Sequence, residues 1–173
     1  MNIVIKNVLR LTVFLFIQVF ILNRIPPLHQ FVVPYVYFLF LLWLPFRITP
    51  LTLLYVGFGL GLISDMFFKT PGLHLAACGL VAYLRPYVVN LLLPKEATEW
   101  GNQEPSTKTM GSVPYWTYMV IMTLLHHFYL ILMEWLQFGS FFYFIGKLIA
   151  TTVLSLALFQ LFDLFMNRNS KVR

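Results

Sequence analysis

Sulfur chemistry is nearly absent from this chain. Its single cysteine, Cys78, excludes an internal disulfide and a cysteine-based metal cluster. Charge is scarce as well: Asp, Glu, Lys and Arg make up 10% of the 173 residues, where a soluble chain carries about 25%. The six acids (Asp65, Glu96, Glu99, Glu104, Glu134 and Asp163) are too scattered to suggest the acid–base cluster of a membrane enzyme. A Ser/His/Asp set, HExxH, a Walker loop and GxGxxG are all missing. Gly57-Phe58-Gly59-Leu60-Gly61 superficially has the look of a phosphate loop. It lies inside an apolar stretch instead of following a soluble strand, so phosphate binding is rejected. Water-exposed sequence is scarce too, which leaves no room for a separate soluble domain.

Apolar sequence is what the chain has in quantity. It is 60% hydrophobic, with a mean hydropathy of +0.79. The apolar runs predict an all-α integral membrane protein, one domain of six spans, at roughly 6–24, 31–46, 51–68, 72–93, 114–134 and 139–166. Asn23-Arg24-Ile25-Pro26-Pro27 follows the first run in place of a small-residue cleavage site, so that run is expected to be a retained helix. Pro34 and Pro45 fall near the ends of the second span, and the only long polar loop is 94–113. Six spans put both termini on one side. With the N-terminus inside, the cytoplasmic segments carry Lys6, Arg10, Arg47, Lys95, Lys108, Arg168, Lys171 and Arg173, against Arg24 and Lys69 outside. That bias predicts N-in, C-in, with loop 94–113 cytoplasmic. The net charge of +6 thus fits topology and does not imply nucleic acid. Trp43, Trp100, Trp116 and Trp135 fall near span ends, as an interfacial belt expects. Internal repeats and inverted halves are not visible, which disfavours a transporter built from them.

The densest stretch runs from Leu53 to Pro86. Gly57, Gly61 and Asp65 are spaced i, i+4, i+8, so on a helix they lie on nearly one face. The glycines make a groove for another helix, and the acid at its end needs water, a cation, a partner chain or Lys69 at i+4. Pro71-Gly72 breaks the helix, and Gly72 opens the next one. His74, one turn in, is expected to hydrogen-bond a neighbouring helix. Arg85 lies about 13 Å of helix from Pro94. Three readings stay open for it: a structural pair with Asp163, snorkelling, or ligand binding. Pro86 is expected to kink the helix. Glu134 and Lys147 suit a salt bridge across a helix hairpin. Adjacent His126 and His127 point about 100° apart on a helix, so they predict packing or interhelix hydrogen bonds in preference to a metal site. Neither a metal nor a cofactor is expected.

The run Gly57-Phe58-Gly59-Leu60-Gly61-Leu62-Ile63-Ser64-Asp65, then Pro71-Gly72-Leu73-His74 and Tyr83-Leu84-Arg85-Pro86, resembles the MreD family of bacterial rod shape-determining membrane proteins. The motif covers about thirty residues; size, six spans and basic termini agree along the whole chain. The resemblance implies a non-enzymatic subunit of the elongasome in the inner membrane. Its implied partners are MreC, the actin homologue MreB, the glycosyltransferase RodA and RodA's transpeptidase, in sidewall peptidoglycan synthesis. It also implies a fold similar to the substrate-binding subunits of energy-coupling-factor vitamin transporters. In this expectation Gly57 and Gly61 floor a groove for the MreC transmembrane helix, Asp65 fixes its register and Arg85 stabilises the bundle. The rival is a vitamin-transporter subunit with His74, Asp65 and Glu134 near an outward pocket.

Overall fold

The computed structural model describes residues 3–24, 32–93, 101–138 and 140–168, and every regular element among them is helical. Helix α1 (Ile3–Phe16) passes into a π turn (Ile17–Ile21) and a 3-10 turn (Leu22–Arg24). A four-residue helix α2 (Leu39–Leu42) precedes α3 (Pro50–Phe68) and α4 (Leu73–Leu92). The short α5 (Thr107–Met110) leads into α6 (Ser112–Phe138) and α7 (Phe141–Arg168). Five stretches are long and apolar enough to cross a membrane: Ile5–Arg24, Pro50–Phe68, Leu73–Leu92, Ser112–Leu136 and Phe141–Leu164. This is the make-up of a multi-pass membrane protein. Their outward sides carry exposed Tyr55, Met66, Leu91, Phe142 and Val153, a surface that suits a bilayer and not water.

Helix limits follow local chemistry. Thr49 caps α3, its Oγ1 accepting from Thr52 N at 3.3 Å, and Pro50 occupies the first turn, where no N–H is needed. The helix ends at Lys69, in the left-handed conformation at φ 57°, ψ 38°. That conformation suits glycine and costs other L-residues about 1 kcal/mol or more. Lys69→Gly is therefore expected to raise stability by about 0.5–1 kcal/mol, the gain being cut by the freer unfolded chain. Thermal unfolding in detergent checks this. A loss would show that the lysine side chain contributes more than its backbone strain costs.

The α3–α4 interface is the most extensive, followed by α4–α6 and α6–α7. The region expected to be the second span departs from prediction. Residues 32–36 carry no regular structure, α2 is one turn long, and turns and bends follow to Ile48. Every residue from Tyr35 to Pro45 is buried. Apolar character on all sides therefore marks a segment enclosed by protein instead of one bathed in lipid. Pro34 and Pro45 bracket it and withhold two N–H donors from any helix. Irregular backbone between spanning helices is tolerated only where its polar groups find protein partners, and those partners define the site below.

Candidate functional site

Helix α3 turns its glycine face to α4 of the same chain. A Cβ on Gly57 would stand 2.7 Å from Ala82 Cβ and 2.9 Å from Cys78 O. One on Gly61 would stand 2.4 Å from Leu75 Cα and 2.5 Å from His74 O. The groove expected to receive a partner helix is thus already filled by α4. Asp65 completes the same interface. It is 4% exposed, and its two oxygens accept from Gly72 N (3.0 Å), His74 N (2.8 Å), Leu75 N (3.0 Å) and Thr70 Oγ1 (3.2 Å). A carboxylate set against the free N–H groups of a helix N-terminus meets both their donors and the positive end of the helix dipole. Gly72, at φ 85°, makes the turn that aims those N–H groups at it. The acid expected to fix a partner's register fixes the α3–α4 hairpin.

Arg85 is 3% exposed and supports the buried segment. Its Nη2 donates to Leu44 O, and its Nε donates to Tyr118 Oη at 3.0 Å. Tyr118 in turn donates to Leu42 O at 3.0 Å. Other helices supply the remaining partners. Gln18 Nε2 donates to Pro34 O (3.0 Å), Gln18 Oε1 accepts from Val36 N (2.7 Å), and Ser155 Oγ accepts from Tyr35 N (3.3 Å). The pair considered for Arg85 and Asp163 is not among the ion pairs formed between the described residues. Asp163 Oδ1 accepts from Tyr115 Oη (3.2 Å), which accepts from Trp43 Nε1 (3.1 Å). Helix α4 continues through Pro86 to Leu92. Arg85→Leu leaves Leu44 O without its guanidinium donor and Tyr118 with one partner fewer. It is expected to cost about 2–3 kcal/mol, read by thermal unfolding. A neutral result would sink this role for the guanidinium.

At the other end of the segment, Tyr37 Oη lies 2.6 Å from His74 Nδ1 and 2.9 Å from His126 Nε2, with all three residues buried. The imidazoles stack on aromatic rings, His74 on Phe68 (4.5 Å) and His126 on Phe38 (4.1 Å). His127 turns away, with Nδ1 2.8 Å from Thr123 O and Nε2 2.9 Å from Ser155 Oγ. His127 bonds a neighbouring helix, at Ser155 of α7, whereas His74 and His126 pack on aromatic rings and meet at Tyr37 in the non-helical buried segment. Among the described residues no group of three His, Cys, Asp or Glu is placed to hold a metal.

The Glu134–Lys147 bridge joins α6 to α7. A second charged cluster lies in the polar loop, whose residues 94–100 fall outside the described residues. Glu104 Oε1 and Oε2 accept from Lys6 Nζ and Arg10 Nη2, both at 2.8 Å. Burial pushes this carboxyl up, but hydrogen bonds and charge from Arg10 and Lys6 outweigh that, and it ends below its usual value. Residues 101–110 form a strap, not a loose connector. Their backbone oxygens accept from Phe46 N (to Gln103) and Arg47 N (to Gly101), each at 3.0 Å, and Ser106 and Thr109 form a capping box on α5.

Tyr37, Tyr118, Gln18 and Glu104 were not singled out in the sequence. One signal was available: Arg10, Phe14, Gln18 and Leu22 recur every fourth residue and are all buried. Comparison of the chain with family models, curated proteins and solved structures returned no match.

Proposed function

We propose that this chain is a non-enzymatic membrane scaffold of the MreD kind. It would work with MreC, and through the elongation complex with MreB, RodA and its transpeptidase, in organising sidewall wall synthesis. The reading rests on the resemblance of residues 57–65, 71–74 and 83–86. One observation carries it further: the charged side chains inside the bundle are taken up by the fold itself. Asp65 caps α4, Arg85 holds Leu44 O, and Lys147 binds Glu134. Side chains used in this way support a shaped surface and leave those groups no evident catalytic role.

In this reading the buried 32–46 segment counts as the second of six crossings. The termini and the 101–110 strap face the cytoplasm, and the protein sits in the inner membrane with a fold like that of energy-coupling-factor substrate subunits. The MreC helix docks on an outward face, since α4 fills the glycine face. Controlled depletion in the protein's own cells tests the proposal. Rounding, with loss of dispersed sidewall synthesis, is expected. Normal shape with a new nutrient requirement would replace it with the vitamin-transporter reading.

A further inference from the structure

Helix α1 is attached to the bundle by one stripe. Arg10, Phe14, Gln18 and Leu22 are buried, while Val8, Leu9, Val13, Phe16 and Phe20, off the stripe, are exposed. A repeat of four drifts by about 40° per step around a regular α-helix. The π turn at Ile17–Ile21 changes the winding where Gln18 must meet the buried segment. The two ends of the stripe are held differently. At the turn itself, Gln18 bonds Pro34 O and Val36 N of the buried segment, and Asn23 Oδ1 within its own helical stretch. Before it, the polar ties are Arg10 Nη1 to Trp43 O at 3.3 Å and the Glu104 carboxylate on Lys6 and Arg10. Phe14 adds ring contacts to Trp43 (5.5 Å) and Phe162 (5.4 Å). The strap that presents Glu104 is anchored independently of α1, through Phe46, Arg47 and its own capping box.

We infer that the N-terminal half of α1 is a gate, hinged at the π turn and clasped by Glu104. A single carboxylate engages both cations of a largely apolar helix. Losing that carboxylate frees Lys6 and weakens Arg10, while the two Gln18 bonds to Pro34 O and Val36 N keep the hinge in place. Opening uncovers the Trp43 end of the buried segment, beside Tyr115 and Asp163. Lys6 has a side chain 43% exposed, so salt or a competing anion at the membrane surface reaches the clasp and loosens it. The gate does not depend on the scaffold reading.

The test uses the full chain in detergent, with Cys78→Ser to remove the native thiol. Reporter cysteines are placed on the inward stripe on either side of the hinge, as Phe14→Cys or Leu22→Cys, and maleimide labelling rates are measured with and without Glu104→Ala. Loss of two charge-assisted hydrogen bonds is expected to speed labelling at position 14 on the order of tenfold, leaving position 22 within about twofold. Raised salt should speed position 14 in the Glu104 protein and have little further effect in Glu104→Ala. Hydrogen exchange over residues 3–16 against 17–24, with Phe14 intact, gives the same comparison should Phe14→Cys disturb packing. Equal acceleration on both sides of the turn, or none before it, overturns the gate.

Discussion

Gly61→Leu is expected to unfold the α3–α4 hairpin. The first atom beyond Cα already meets Leu75 Cα at 2.4 Å and His74 O at 2.5 Å. These are backbone atoms, which no rotamer change can move aside, so the helices must separate. Overpacking of this kind costs about 1–3 kcal/mol for small additions, and a leucine here exceeds about 3 kcal/mol. The separation also draws His74 and Leu75 away from Asp65, which adds lost hydrogen bonds to lost packing. Gly59→Leu is the matched control. It lies on the same helix, and a Cβ there meets nothing within 4 Å. It should insert, purify and melt like the wild type. Thermal unfolding and yield in detergent distinguish the two. Equal stability for Gly61→Leu and Gly59→Leu would refute close packing at position 61.

The same pair shows what a sequence pattern can and cannot convey. The spacing of Gly57, Gly61 and Asp65 correctly marks a face that another helix approaches closely. It carries no information on whose helix that is, because α4 and a foreign helix place the same demand on it. The predicted ends of four spans lie close to the observed helices for a related reason. Thr49-Pro50, Pro71-Gly72 and the glycine and proline at 111 and 114 are local signals, read within a turn of where they act. The helix expected over 31–46 is a single turn among the described residues 32–46, because hydropathy measures distaste for water and does not separate lipid from protein interior. Only the partners of the backbone, Gln18, Arg85, Tyr118 and Ser155, distinguish the two cases. They come from four different places in the chain. Glu104 was hidden in the same way: its cations lie 94 and 98 residues away, and its neighbours are polar enough to pass for a linker. Tyr37, one of many aromatic residues in an apolar run, has no local mark of the two histidines it joins.

Asp65→Ala is the substitution whose effect should travel farthest. It leaves three backbone N–H groups, of Gly72, His74 and Leu75, and the Thr70 hydroxyl without their acceptor. Each buried donor left unpaired costs about 1–3 kcal/mol, and water entering at exposed Gly72 recovers part of it, so a net loss of about 3 kcal/mol is expected. Asp65→Asn keeps the shape but turns an NH2 toward N–H groups, replacing at least one attraction with a clash of donors. It should therefore fall between wild type and alanine. The damage is not confined to the loop. His74 takes its backbone position from the carboxylate and holds Tyr37 through Nδ1, so loosening the cap loosens the start of the buried segment. Cys78 reports on this directly. It is wholly buried one turn beyond His74, and its carbonyl lies beneath Gly57. Maleimide labelling of Cys78 should be negligible in wild type, faster in Asp65→Asn and fastest in Asp65→Ala, in step with falling thermal stability. A protein that melted early while Cys78 stayed unreactive would confine the role of Asp65 to the turn and separate the cap from the core.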